Sequence, residues 1–255
     1  MAERPLLEAI VFDAGGTLVR VNFEWMSGML AELGHAVSAQ ALRTAELEGR
    51  RAYDAVAERV SATLPPGGGD TPLSLLGPSD AYFTATLAAA GVPESLRAEA
   101  LARTWARQHS DHFLWGVPAE GAREMLDALP STGLRAACVS NADGRAELIL
   151  ETCGVREGLE FVIDSHVVGI EKPDPRIFHL ALDRLGVAPE RALYVGDIRS
   201  VDAAGAAGAG MHFVLIDPTG HYAAPGMHHI TTIAGLPEFV RATFTLPAHT
   251  GTAPR

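Results

Sequence analysis

From residue 114 onward, short apolar runs alternate with stretches of helical periodicity, and this alternation leaves few folds open to the chain. The runs are "LRAACVSN" (134–141), "FVIDS" (161–165), "ALYVGD" (192–197) and "HFVLID" (212–217). Helical patterns fall at 118–129, 143–153, 174–186 and 200–209, and an earlier apolar run, "AIVFDA", opens at Ala9. Runs apolar throughout suit strands buried on both faces. Parallel neighbours need crossovers long enough to hold a helix. The pattern predicts an α/β fold with a Rossmann-like parallel sheet and helices on both faces. Three runs end in a polar residue, Asp13, Ser140 and Asp197. Ligands of open α/β sheets bind at that carboxyl edge.

Residues 19–114 break the alternation. Helix-like stretches lie near 23–34, 38–62, 79–91 and 94–112, interrupted by the Gly/Pro-rich "PPGGGDTP" (65–72). We expect an α/β core made of 1–18 and 115–242. A helical cap at 19–114 should be joined to it by flexible connections near Val19–Val21 and Leu114–Val117. Residues 243–255 should form a poorly ordered tail. The aromatics Trp25, Tyr53, Tyr82, Phe83 and Trp105 mostly pack the insertion's own helices.

A formal net charge of −11 disfavours non-specific binding to nucleic acid or anionic lipid. No uncharged, glycine-free stretch is long enough for a transmembrane helix, and the start does not read as a signal peptide. The two cysteines, Cys138 and Cys153, have neither disulfide-framework nor zinc spacing. They read as reduced thiols of a cytoplasmic protein. No protein partner is indicated. His221, His228 and His229 read as loop histidines rather than a metal site.

Taken singly, the polar segments at the strand ends are bland: a turn, a helix cap, a charged loop before a proline-started helix. Their order is not. FDAGGTL, VSN, EKPDPRIF and YVGDIRSVDAAGAAGAG resemble the four successive motifs of the haloacid dehalogenase-like hydrolase superfamily. The insertion after the first motif resembles the mobile cap of one branch. The resemblance implies an aspartate nucleophile at Asp13, attacking phosphorus to give an aspartyl-phosphate. Backbone N–H groups about Gly15, Gly16 and Thr17 would form an anion nest. Ser140 and Asn141 would meet the phosphoryl group, and Lys172 would neutralise it and keep Asp13 ionised. Asp13, the Gly15 carbonyl, Asp197 and Asp202 would hold Mg²⁺, Asp202 as a ligand or as a partner of one. One count supports a special role for Lys172. It is the single lysine among 20 basic residues, the rest being arginine. A compact ammonium fits a tight pocket that the guanidinium fork does not.

At position 15 the family's phosphatases usually carry a second aspartate, whose side chain is the general acid and base. Gly15 keeps the carbonyl and loses the acid. The reading that follows is a Mg²⁺-dependent hydrolase of a small phosphorylated metabolite with weakened acid–base help. Gly15→Asp should then restore such help. One alternative is a metal-free 2-haloacid dehalogenase. Against it stand Gly196-Asp197 with Asp202, and the lack of arginine between Val21 and Leu42, where that branch places a carboxylate-binding residue. A second alternative is a catalytically impaired binding or regulatory protein. A phosphonate hydrolase is excluded, since it needs a lysine in the cap.

Overall fold

The computed structural model describes residues 4–63 and 77–247. The loop "PPGGGDTP" and residues 248–255 of the expected tail lie outside them. Strand β1 (Ala9–Phe12) is followed by β2 (Val19–Arg20) and then by helices α1 (Phe23–Glu32), α2 (Ala39–Thr63), α3 (Pro78–Ala89) and α4 (Glu94–Gln108). The chain returns through β3 (Val117–Pro118) and α5 (Ala122–Ala128) to β4 (Arg135–Ser140), α6 (Ala146–Thr152), β5 (Val162–Asp164) and α7 (Ser165–Val168). Then come α8 (Pro175–Leu185), β6 (Ala192–Gly196), α9 (Ala204–Gly208), β7 (His212–Ile216), β8 (His229–Ile230) and α10 (Leu236–Thr243).

Six strands form one parallel sheet in the order β5-β4-β1-β6-β7-β8. Residues alternate between its faces, as strand geometry requires. Ile10, Phe12, Ala136, Cys138, Leu193 and Val195 pack on one side with α5, α6 and α10. Ala9, Val11, Ala137, Val139, Ala192 and Tyr194 pack on the other with α8 and α9. Both faces are thus buried, which is why the runs read as apolar throughout. The chain leaves β1 to build β4 and β5 on one side and later β6 on the other. The carboxyl end of β1 is therefore the topological switch point, where α/β sheets open a crevice. Asp13 stands there.

The insertion is helical among the described residues, and its core gathers Phe23, Met26, Leu30, Phe83 and Leu87. Its two connections pair with each other. β2 and β3 pair antiparallel, Val19 opposite Pro118 and Arg20 opposite Val117, and the Asn22 N–H donates to the Leu114 carbonyl at 2.8 Å. The two expected connections thus run side by side as a short antiparallel ribbon. Two-residue strands leave no periodicity to read. The expected tail also begins later than 243. Phe244 is buried, the Leu7 N–H donates to the Thr245 carbonyl, and the Thr245 N–H donates to Pro5. Among the described residues no helix is long and apolar enough to cross a membrane.

One loop beside the carboxyl edge is organised by a single carboxylate. Asp217, just past β7, accepts from the N–H groups of Thr219, Gly220, Tyr222 and Ala223 and from the Thr219 hydroxyl, at 2.8–3.1 Å. Burial alone would raise its pKa, but these donors hold it down at about 2. The unfolded value is ~3.9, so the stabilisation is present above about pH 4 and is lost as pH falls toward 2. The stability gap between wild type and Asp217→Asn, from urea unfolding, should narrow over that interval. A gap constant with pH would contradict this account of the loop.

Candidate active site

Lys172 is the centre of the site. Its Nζ donates to Asp13 Oδ1 at 2.6 Å, Asp202 Oδ1 at 2.8 Å and the Tyr194 hydroxyl at 2.8 Å. An ammonium has three N–H donors, and all three find acceptors. Tyr194 in turn donates to the Val139 carbonyl at 2.9 Å. Lys172 is 2 % exposed. Burial alone would depress its pKa, but Asp13 and Asp202 outweigh this and hold it well above its ordinary value. The backbone of Lys172 is clamped by Asn141. Asn141 Oδ1 accepts from the Lys172 N–H at 2.8 Å, and its Nδ2 donates to the Lys172 carbonyl at 2.9 Å. The Asn141 side chain, expected to meet phosphate, thus serves Lys172 through both ends of its amide.

Burial raises the Asp13 carboxyl to about 6, with Lys172 opposing the rise. Burial likewise pushes Asp197 well above the ordinary carboxylate range, against the pull of Arg50. Asp202 has both oxygens engaged. Oδ1 faces Lys172, and Oδ2 accepts from the N–H groups of Asp197 and Ile198 at 3.0 and 2.9 Å. Asp202 thereby shapes the turn that presents Asp197, at the start of a π-helical turn over Arg199–Ala203. Carboxylate oxygens of Asp13, Asp197 and Asp202 all lie within 4.8 Å of one another. Ser140 closes β4 at the same edge, buried and opposite Asp164. Thr17 is buried, and its hydroxyl has no partner among the described residues. His221, His228 and His229 are exposed and join no cluster of metal-type ligands among the described residues.

The two glycines do different work. Gly16 has φ of +78°, and a Cβ there would lie 2.1 Å from Asp197 Oδ2. Only glycine allows both that backbone and that approach. Gly15 is not among the positive-φ glycines, and a Cβ there would meet the Trp115 indole at 3.3 Å. Trp115 thus covers the place where a second aspartate would project. The expectation that Gly15→Asp would restore acid–base help is revised, since Trp115 would first have to move.

The insertion reaches this site, which the sequence did not show. On α2, Arg50 donates through Nη1 to the Ile216 carbonyl at 2.8 Å, with Nη2 3.5 Å from Asp197 Oδ2 and 3.5 Å from Glu46 Oε1. Glu46 also accepts from the Tyr82 hydroxyl at 2.6 Å, and Tyr82 lies beside Trp115 with ring centroids 6.3 Å apart. One turn further along α2, Asp54 accepts from Arg199, the Ser200 N–H and the Tyr222 hydroxyl at 2.7–3.0 Å. Glu46, Arg50 and Asp54 recur every four residues, so they share one helix face. The spacing was visible in the sequence, but a charged stripe at that period also describes a solvated face.

The family model for haloacid dehalogenase-like hydrolase matches residues 7–210, a span that holds Asp13, Ser140, Lys172, Asp197 and Asp202. The chain belongs to that family. Within it, the haloacid dehalogenase-like hydrolase domain-containing protein 3 of Mus musculus is 42% identical over 131 residues, 51% of this chain and 52% of that protein. A phosphoserine phosphatase of Thermus thermophilus is 37% identical over 131 residues, 51% of this chain and 50% of that protein. The chain thus matches about half the length of these curated relatives. The fold is shared with a solved L-2-haloacid dehalogenase, TM-score 0.63 and 23% identity, over 92% of this chain and 99% of that one. The chain is a haloacid dehalogenase-like hydrolase.

The glycine pair yields a test. Gly16→Ala should destabilise the protein by at least about 1–2 kcal/mol, the cost of a left-handed residue with a Cβ, and more if Asp197 is displaced. Gly15→Ala should cost clearly less, because the indole edge has only to yield slightly. Chemical denaturation of the two variants decides, and equal losses would contradict the geometry.

Proposed function

We propose that this hydrolase cleaves a small phosphorylated metabolite by nucleophilic attack of Asp13 on phosphorus. The observation that carries this reading is the Asp13–Lys172 pair, 2.6 Å apart and buried at the switch point of the sheet. The phosphatase named among the relatives supports the choice of phosphorus. In the first step Asp13 forms a bond to phosphorus while the bond to the leaving oxygen breaks. In the second, water attacks phosphorus, the bond to Asp13 breaks, and the water proton passes to a base or to solvent. Lys172 keeps Asp13 ionised for its attack, favours its departure as a carboxylate in the second step, and offsets phosphoryl charge. Ser140 and the unpaired Thr17 hydroxyl are the side-chain donors we assign to the phosphoryl oxygens, with the backbone about Gly15 and Gly16.

The donor set fits a divalent cation. Asp13 and Asp197 are hard oxygen ligands suited to Mg²⁺, and the Gly16 cradle brings backbone against Asp197 where a side chain would fill the space. We assign Asp13, Asp197 and the Gly15 carbonyl to that ion, with Asp202 orienting Asp197 rather than binding it. A bound Mg²⁺ would offset the repulsion between a phosphate dianion and these carboxylates. Gly15 supplies no proton to the leaving group, so substrates with good leaving groups, aryl or acyl phosphates, should be favoured over alkyl phosphates. The buried, unpaired thiols Cys138 and Cys153 accord with a reducing, cytoplasmic setting.

A screen of phosphate esters and 2-haloacids, each with Mg²⁺ and with chelator, tests the reading. Phosphatase activity should vanish in chelator and return with Mg²⁺. Asp13→Asn should abolish turnover with the fold intact. Chelator-resistant activity on 2-haloacids would transfer the assignment to dehalogenation.

A further inference from the structure

Arg50 belongs to the cap, yet it is buried in the core's active site. Its side chain is 5 % exposed, and three of its neighbours, Asp197, its carbonyl and the Ile216 carbonyl, belong to the core sheet's carboxyl edge. The fourth, Glu46, rides on the same helix. The contact to Asp197 is loose, 3.5 Å against the 2.6–2.8 Å that Lys172 makes with its carboxylates. It is made to the oxygen, Asp197 Oδ2, that lies against Gly16. Lys172 is engaged by Asp13 and Asp202, which leaves Arg50 as the cation set against Asp197.

We propose that Arg50 is a positioning residue that holds Asp197 while α2 is docked and gives it up to a divalent cation, so that cation binding weakens docking of the cap. The inference rests on the reading of Asp197 as a cation ligand. Two positive groups at one carboxylate repel each other, and the effect is large where water is excluded. Giving up Asp197 does not strand the guanidinium, because Glu46 remains beside it, oriented by the Tyr82 hydroxyl. An unpaired buried charge would have made the exchange prohibitive. The neighbouring tie, Asp54 to Arg199, uses no member of the acidic trio, so α2 keeps an anchor when Arg50 lets go. By reciprocity, whatever the cation takes from cap docking, docking takes from cation affinity.

The test uses the full chain and Mg²⁺ alone. Calorimetry should show Mg²⁺ binding to Arg50→Gln more tightly than to wild type, by roughly 5- to 150-fold, the usual range for coupled sites. Independently of that variant, nitroxide labels placed by Glu99→Cys in the cap and Leu148→Cys in the core, both exposed positions, report the interdomain distance. In otherwise wild-type protein Mg²⁺ should shift or broaden that distance. In the Arg50→Gln background the shift should be present before Mg²⁺ is added. Equal or weaker Mg²⁺ affinity in Arg50→Gln, or a wild-type distance indifferent to bound Mg²⁺, would overturn the role of Arg50 alone. A wild-type protein that binds no Mg²⁺ would overturn both this inference and the cation reading beneath it.

Discussion

The site depends on one buried ammonium. Without Lys172, the carboxylates of Asp13 and Asp202 would face each other in a region with little water, and such groups take up protons rather than remain charged. Lys172 reconciles them by meeting each at hydrogen-bond distance and by taking the Tyr194 hydroxyl as its third acceptor. Everything nearby serves that arrangement. Asn141 fixes the lysine backbone, and Asp202 passes the constraint on to the turn that carries Asp197. A guanidinium could not replace this ammonium, because its planar fork cannot meet three acceptors around one nitrogen.

The second constraint is the contact between α2 and the core. Helix α2 places Glu46, Arg50 and Asp54 on one face and sets Ala57 against Val201, with Tyr53, Val60 and Ile198 around them. The insertion thus brings charge into the site. Trp115 does the same by shape, covering Gly15 from the return ribbon. A Cβ at position 15 would stand 3.3 Å from the indole, so a longer side chain there has to displace Trp115.

Much of this was legible in the sequence. The strands came from apolar runs, and their polar ends marked Asp13, Ser140 and Asp197 at the sheet's carboxyl edge. The lone lysine pointed to Lys172. The helices of the insertion were read to within a few residues of their ends. What escaped was whatever depends on distant pairing. Tyr194 reads as core in "ALYVGD", and only the fold reveals that its hydroxyl touches Lys172. The β2–β3 ribbon is too short for any period. Arg50 lies 147 positions from its partner Asp197, and Trp115 is far along the chain from Gly15. Asp217 ends an apolar run as Asp13 and Asp197 do, yet its carboxylate is consumed by its own loop. A polar strand end alone thus does not mark a site at this edge.

The central claim is that Asp13 attacks phosphorus and that water then attacks phosphorus in turn. A single turnover in ¹⁸O-labelled water, with enzyme in excess over an aryl phosphate and Mg²⁺ present, tests it directly. The account predicts phosphate held on the Asp13 peptide in rapidly acid-quenched samples, then label in the released phosphate and none in the Asp13 carboxylate, all read by mass spectrometry; a turnover that never phosphorylates Asp13 would contradict it. Label in Asp13 itself would mean that water attacked the carboxyl carbon, as expected for an ester formed at carbon in dehalogenation, and would contradict the account.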